Sequence, residues 1–97
     1  MKSTAEYLRL LKKFKDTKGV TYGIQKIGLF GSVARGEHKE NSDVDVCFEG
    51  IPKGFFAIGG IKVELAELFG CSVDVVRLRE KMDTFFKSQI LKEVIYV

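Results

Sequence analysis

The sequence lacks most of the residues that mark secreted, metal-finger and membrane-spanning proteins. It has no tryptophan, one proline and only two cysteines among 97 residues. Cys47 and Cys71 lie beside apolar residues and form no Cys-x-x-Cys pair, which argues against a disulfide framework and against a zinc site. We interpret both as core thiols. The longest nearly apolar run, residues 55–61, is far shorter than the roughly 18 residues that cross a bilayer, so no membrane partner is expected.

Length and the N-terminal residues set the class of protein. Met-Lys-Ser-Thr-Ala-Glu contains no apolar segment with a small-residue cleavage site, so no secretory signal is visible and a cytoplasmic protein is expected. With 97 residues, 45% of them apolar, the chain is long enough for one hydrophobic core and too short for two. We expect one domain over residues 1–97, which excludes a multidomain enzyme.

The net charge of +3 is unevenly distributed, because residues 30–50 sum to −3 while residues 1–29 sum to +5. A nucleic-acid binder of this size would have a larger basic excess with aromatic residues interleaved. We therefore expect no direct nucleic-acid binding and interpret the N-terminal basic residues as a solvated helix face. These residues are Arg9, Lys12, Lys13, Lys15 and Lys18.

Hydrophobic periodicity predicts an α/β sandwich, one sheet with helices against it, in the order α-β-α-β-α-β-α. Ser3 and Glu6 form a capping box that starts a helix over residues 4–17, with Gly19 as the stop signal. The other predicted helical segments are a short turn over 33–37, a helix over 55–69 capped by Gly70, and a last helix marked by Phe86, Ile90, Leu91 and Val94. The predicted strands are residues 24–30, 43–48 and 72–76.

The second predicted strand has two aspartates at alternate positions. Asp43, Asp45 and Cys47 share one face, and Val44, Val46 and Phe48 share the other. Two carboxylates about 6.6 Å apart on one face repel each other unless a cation or solvent separates them. A divalent metal site is one interpretation and a solvated face is the other. Asp74, between two valines of the third strand, is a further carboxylate that needs a partner or an edge position.

Gly31 and Ser32 fall where the first strand meets a helical turn. A glycine lets the backbone approach a ligand closely, and the amides at a helix start attract phosphate. This predicts a phosphate site, although such a pair also occurs in ordinary turns. A P-loop is excluded because Glu37 and His38 stand where it requires Lys and Ser or Thr, and the ligand pattern of an EF-hand is absent around Asp43.

The combination of Gly-Ser, ten residues, and Asp-x-Asp resembles the minimal nucleotidyltransferases of the DNA polymerase β superfamily. The segments that carry the resemblance are Leu-Phe-Gly-Ser-Val-Ala-Arg-Gly-Glu at 29–37, Asn-Ser-Asp-Val-Asp-Val at 41–46 and Val-Asp-Val-Val at 73–76. The resemblance implies the nucleotidyltransferase fold, a small mixed sheet with helices packed against it. Members of the small prokaryotic branch are commonly paired with HEPN-domain ribonuclease toxins, and some act as antitoxins by transferring AMP from ATP to a tyrosine of the toxin.

The resemblance also implies a role for each residue of the motif. Asp43 and Asp45 would hold two Mg²⁺ ions that bridge the triphosphate of ATP, and Asp74 would help to hold the ion that activates the acceptor hydroxyl. Gly31 and Ser32 would cradle the β and γ phosphates. Arg35 would contact phosphate or the partner, or else form a surface ion pair with Glu37 or Glu40. His38 is interpreted as a loop residue.

Three functions remain open at this point. The first is adenylyl transfer to a toxin that completes the site as a separate chain, in a hetero-oligomer. The second is an antitoxin that neutralises its partner by occlusion without catalysis. The third is nucleotidyl transfer to a small molecule, which the length disfavours because little chain is left for an acceptor pocket, unless a homodimer supplies one. Gly59 and Gly60 fall inside a predicted helix and weaken it.

Overall fold

A computed structural model describes residues 1–97, which form four helices and four strands. The helices are α1 (Thr4–Tyr22), α2 (Gly31–Arg35), α3 (Ala57–Phe69) and α4 (Thr84–Glu93). The strands are β1 (Ile24–Phe30), β2 (Val44–Gly50), β3 (Val73–Arg77) and β4 (Ile95–Tyr96). The predicted α/β class and the order of the first seven elements are confirmed, and β4 is an addition that the sequence did not indicate.

The strands form one mixed sheet in the order β3-β2-β1-β4. The sequential hairpin β1–β2 is antiparallel, β2–β3 is parallel, and β4 returns to pair antiparallel with β1. The parallel pair is joined through α3, as a crossover connection requires. Its register places Asp45 directly beside Asp74, so the sheet itself brings two of the predicted site residues together.

The two faces of the sheet are covered by different helices. One face packs against α1 and α3 through residues such as Leu11, Val46 and Leu65, each fully buried in the larger core cluster. The other face carries a smaller cluster of Phe30, Cys47, Leu78 and Ile90, with α4 against it. The alternation predicted for β2 is therefore confirmed, because Val46 and Cys47 belong to clusters on opposite faces.

The predicted end of the first helix at Gly19 is wrong. The helix continues to Tyr22, and Gly23, with a φ of 80°, is the residue that ends it. Gly19 is buried inside the helix, where a Cβ would meet atoms of Lys15 and Ile24 at 3.6–4.0 Å. Gly19 therefore lies at a contact between α1 and β1. The sequence analysis interpreted it wrongly as the end of the helix. The capping box of Ser3 and Glu6 is confirmed, with both hydrogen bonds present.

Other element bounds shift by one or two residues. The short helix begins at Gly31 rather than at residue 33, β2 begins after Asp43, and β3 covers residues 73–77. Helix α3 begins at Ala57, and Gly70 caps it in the left-handed conformation, as predicted. The last helix ends at Glu93, because the extended conformation of Val94 leads directly into β4.

Both cysteines are free thiols. Cys47 is fully buried, as expected for a core residue, and burial raises the pKa of its thiol to about 12. Cys71 is only half-buried, and its sulfur lies 3.8 Å from the hydroxyl of Tyr7. The basic residues of α1 are exposed as predicted, except Lys15, which is half-buried and donates to the carbonyl of Val97 at 2.9 Å. No helix combines the length and apolar character needed to cross a membrane.

Candidate active site

The predicted carboxylates meet where β2 begins and β3 runs beside it. Asp45 and Asp74 are adjacent in the parallel register, and Asp43 immediately precedes β2. No hydrogen bond or ion pair within the chain involves any of these three side chains. Three neighbouring carboxylates without an ion-pair partner repel one another, and a bound cation would reduce that repulsion.

The electrostatics of Asp45 reflect this crowding. Burial is the main cause that raises the pKa of its carboxyl group, followed by the charges of Asp74, Asp43 and Glu93. Arg35 acts in the opposite direction and lowers it. The charged form of Asp45 is therefore disfavoured in the folded chain, and a bound cation would relieve that cost.

Gly31 allows the carboxylate of Asp45 to approach the backbone closely, at the position where the sequence analysis expected a ligand to do so. It has a φ of 73°, and a Cβ at this position would collide with the carboxylate of Asp45. Only a glycine satisfies both conditions, since the left-handed conformation also disfavours other residues. Ser32, the next residue, is half-buried, and its hydroxyl makes no hydrogen bond within the chain. The structure thus brings Gly31 and Ser32 to the carboxylates.

Glu93, at the end of α4, is a site residue that sequence reasoning missed. The backbone N–H of Gly31 donates to one of its carboxylate oxygens at 2.8 Å. Arg35 donates to the other oxygen at 2.9 Å. An acidic residue in the last turn of a helix opposes the helix dipole, and this was the one weak signal in the sequence. The contact itself joins residues 62 positions apart, which no local pattern reveals.

Arg35 forms the surface ion pairs that were one of its two predicted roles. It donates to Glu37 at 2.6 Å and to Glu93 at 2.9 Å, and it makes no pair with Glu40. These two carboxylates raise its pKa further. His38 lies in a loop, as interpreted, where its Nε2 is 2.8 Å from the carbonyl of Lys2.

The donor set fits Mg²⁺ as an open site. No three acidic, histidine or cysteine side chains converge closely enough to form a cage for a metal ion. Mg²⁺ does not require such a cage, because it is commonly bound through one or two carboxylates together with waters and substrate phosphates. Asp43, Asp45 and Asp74 supply oxygen ligands of this kind, and none is already bonded within the chain.

A cavity of about 540 Å³ adjoins the carboxylates. Asp45 and Asp74 line it on the sheet, and Lys62 lines it from α3. No sequence pattern indicated this cavity, because its lining comes from five separate elements of the fold. Its other lining residues are Phe30, Ile58, Gly59, Val75, Val76 and Phe86.

Comparisons with known proteins agree with this geometry. The family described as "Nucleotidyltransferase domain" matches residues 8–97. The protein adenylyltransferase MntA of Thermococcus cleftensis is 36% identical over 100% of this chain and 98% of its own length. A relative from Methanocaldococcus jannaschii, provisionally named a protein adenylyltransferase, is 30% identical over the full length of both chains. Among solved structures, a toxin–antitoxin complex crystallised with AMP-PNP superposes with a TM-score of 0.72 at 25% identity, covering 93% of this chain and 70% of that one.

Proposed function

Because the chain belongs to the nucleotidyltransferase domain family, we propose that it transfers AMP from ATP to a tyrosine hydroxyl of a HEPN ribonuclease toxin. The chain is then the antitoxin of the pair, and the toxin supplies the acceptor. The resemblance seen in the three sequence motifs led to the same family.

The observation that carries this proposal is the pairing of Asp45 with Asp74 beside Gly31. Two carboxylates in register, with Asp43 close by and no ion-pair partner, repel each other, and a bound divalent cation would relieve that repulsion. The absence of a Cβ at Gly31 leaves room for the carboxylate of Asp45 next to the backbone. A structural role alone would not require the unpaired carboxylates, nor a glycine whose missing Cβ makes room for one of them.

This proposal gives each residue of the motif a defined role. Asp43 and Asp45 would hold two Mg²⁺ ions, and Asp74, which is in register with Asp45, would help to hold the ion that activates the acceptor hydroxyl and would accept its proton. When bound, Mg²⁺ supplies a lowered pKa for the attacking hydroxyl and charge neutralisation for the leaving pyrophosphate. Gly31 and Ser32 bind the phosphates through the backbone amide and the free hydroxyl. The Glu93 carboxylate accepts a hydrogen bond from the Gly31 N–H. It has to release this amide before the amide can donate to a phosphate.

The relatives support the acceptor class and the partner. The Thermococcus cleftensis relative is named a protein adenylyltransferase and matches the whole chain. One chain of the crystallised toxin–antitoxin complex shares this fold, and that complex contains the nucleotide analogue AMP-PNP. Transfer to a small molecule has no such support, and occlusion without catalysis would leave the carboxylate cluster without a function.

The test uses ATP labelled at the α phosphate, Mg²⁺ and the purified cognate toxin. We expect label on the toxin, with mass spectrometry placing AMP on tyrosine. Asp45→Asn should reduce transfer by more than about 100-fold. Replacing even a residue that only hydrogen-bonds a metal ligand lowers metal affinity or activity by about 10- to 100-fold. Asp16→Asn, the same chemical change at an exposed residue of α1, should transfer normally. If no nucleoside triphosphate labels a toxin that the chain still binds, occlusion is the correct function.

A further inference from the structure

The last residue of α4 places a carboxylate on the backbone amide that the proposed function assigns to a phosphate. Glu93 accepts the N–H of Gly31 at 2.8 Å with one oxygen and the guanidinium of Arg35 at 2.9 Å with the other. Backbone amides and guanidinium groups are donors that proteins also use to bind phosphate oxygens. The Glu93 carboxylate therefore occupies two donors that suit a phosphate of the nucleotide.

The surroundings of Glu93 disfavour its negative charge. It ends α4, where the helix dipole opposes a carboxylate. The pKa of Asp45 is raised by burial, by the two other aspartates and then by Glu93, so these carboxylates lie close enough to repel one another. The bonds to Gly31 and Arg35 are the only hydrogen bonds that the Glu93 side chain makes. A phosphate group, with more charge and more acceptor oxygens than a carboxylate, can take over these donors.

Glu93 can leave the amide without disturbing the core. Its side chain is 28% exposed and that of Arg35 is 48% exposed, so both reach solvent. Ile90, one turn earlier in α4, is buried in the smaller core cluster and fixes the helix. Release of the Gly31 amide therefore requires rotation of one partly exposed side chain and no movement of α4.

We propose that Glu93 is an internal competitor for the triphosphate. It covers the Gly31 amide in the empty site, releases it to a phosphate of the nucleotide, and returns to it as pyrophosphate leaves. This inference rests on the function proposed above and adds a regulatory contact within the same site. Carboxylate and phosphate oxygens accept the same hydrogen bonds, so the exchange leaves the amide paired at both ends of the cycle.

A cap for α2 is the structural alternative for Glu93. The N-cap residue of this helix, Phe30, makes no side-chain hydrogen bond, and Glu93 contributes one from a distant part of the chain. The two roles predict different effects of removing the side chain. Loss of a cap lowers stability and leaves the affinity for nucleotide unchanged, whereas loss of a competitor raises that affinity.

The proposal also predicts which ligands Glu93 opposes. The amide of Gly31 is assigned to the β and γ phosphates, so the competitor acts on ligands that carry these phosphates. Triphosphates and pyrophosphate belong to this group, and AMP does not. Competition with pyrophosphate after transfer would speed its release, because the carboxylate takes back the donors that the product holds.

The test compares the two acidic partners of Arg35. Glu93→Ala removes the proposed competitor, and Glu37→Ala is the matched control, because Glu37 also pairs with Arg35 but does not bond to Gly31. Calorimetry in the presence of Mg²⁺ measures the affinities for α,β-methylene-ATP, for pyrophosphate and for AMP. Urea unfolding without ligand measures the stability of each variant. NMR of the original protein follows the side-chain carboxyl carbon of Glu93 as the analogue is added.

We expect Glu93→Ala to bind the analogue and pyrophosphate at least about ten-fold more tightly, the size of one hydrogen bond to a charged group. Its affinity for AMP should not change. Glu37→Ala should stay within about two-fold for all three ligands, since exposed ion pairs contribute little. In the original protein, the analogue should move the Glu93 carboxyl resonance toward that of a solvated glutamate.

Three results would overturn the proposal. Reduced stability of Glu93→Ala without tighter binding would make Glu93 a cap of α2. Equal tightening in both variants would assign the effect to the removed charge or to the freed Arg35. A Glu93 carboxyl resonance that the bound analogue leaves unchanged would show that no exchange occurs, even if Glu93→Ala did not fold.

Failure of the proposed function gives a different result. The analogue would then displace Glu93 as expected, yet the original protein would transfer no label to the toxin. If the analogue bound neither the original protein nor Glu93→Ala, both proposals would be wrong.

Discussion

Gly31 and Gly36 stand at the two ends of α2 with nearly the same backbone conformation, at φ of 73° and 71°. They differ in their surroundings, because a Cβ at Gly31 would strike the carboxylate of Asp45 while a Cβ at Gly36 would meet nothing within 4 Å. This pair separates the cost of backbone strain from the cost of displacing a site residue.

We expect Gly36→Ala to lower the free energy of unfolding by about 1 kcal/mol, the cost of the left-handed conformation alone. Gly31→Ala should cost more and should also abolish transfer, because Asp45 must move. Urea unfolding and the labelling assay measure the two effects. Equal losses of stability with intact transfer in both variants would show that the approach of Gly31 to Asp45 has no function.

The raised pKa of Asp45 leads to a prediction about pH. Since the folded chain binds the proton of this carboxyl group more tightly than the unfolded chain, ionisation of Asp45 destabilises the fold. The contribution of Asp45 to stability should decrease as pH rises from the ordinary aspartate value through the raised one. Asp45→Asn should therefore gain stability over the original protein across that interval.

Unfolding curves at a series of pH values from about 3 to 7 measure this difference, without nucleotide or Mg²⁺. Asp16→Asn, whose carboxylate pairs with Lys12 at the surface, is the control and should show no such gain. A constant difference between Asp45→Asn and the original protein at all pH values would contradict the assignment of a shifted pKa.

The residues of the site were predictable from sequence to different degrees. Asp43 lies just before β2 and Asp45 within it, and their spacing from Gly31 and Ser32 is a local pattern that a reader of the sequence can see. Asp74 was identified because a charged side chain between two valines of a strand needs a partner or an edge position. Glu93 and Lys62 were not found, because their place in the site depends on how α4 and α3 pack, and packing leaves no signal in their neighbours along the chain.

At the scale of elements, β4 depends on Gly28 of β1. Gly28 is paired with Tyr96, and a Cβ at Gly28 would lie 2.6 Å from the carbonyl oxygen of Ile95 and 2.8 Å from a methyl carbon of Val94. A strand this close needs a residue without a side chain. Since only Val94 separates Glu93 from this strand, the position of β4 also sets that of Glu93, whose carboxylate accepts from Gly31.

We expect Gly28→Ala to destabilise the fold by about 1–3 kcal/mol, the usual cost of overpacking, and to detach β4. Hydrogen exchange at the amide of Val97, which donates to Ile27 at 3.0 Å, should become faster than exchange in β2. Gly19→Ala is the control, because its Cβ would have ordinary contacts of 3.6 Å or more. Unchanged protection of Val97 in Gly28→Ala would mean that the strand tolerates the methyl group.

The elements that the sequence predicted are those with a repeated local pattern. The capping box and the spacing of Tyr7, Leu11 and Phe14 define α1, and strict alternation defines β2. The pattern failed at Gly19, where a glycine serves a contact with β1 instead of ending the helix. It also failed at β4, because two residues are too few for any periodicity to be recognised.

At the scale of the molecule, the candidate site combines residues that span the chain from Gly31 to Glu93. Two of its strands, β2 and β3, are neighbours only because the crossover through α3 places them side by side. The sequence indicated some residues of the candidate site, the three aspartates with Gly31 and Ser32, but not their geometry, since the register of β2 with β3 is a property of the whole sheet. That residues 1–97 form one domain remains a prediction, which coincident unfolding transitions by different probes would test.

A site assembled from the whole sheet should couple nucleotide binding to global stability. The unfolded chain keeps none of this geometry, so Mg²⁺ with α,β-methylene-ATP should bind the folded state alone. At a ligand concentration 100-fold above the dissociation constant, stability rises by about 2.7 kcal/mol. For a chain of this size each kcal/mol raises the melting temperature by about 4–8 °C, so we expect an increase of roughly 10–20 °C in a thermal scan. Asp43→Asn and a scan with chelator should lose most of it, and Asp16→Asn should keep it. An equal increase in the presence of chelator would place the nucleotide away from the carboxylates.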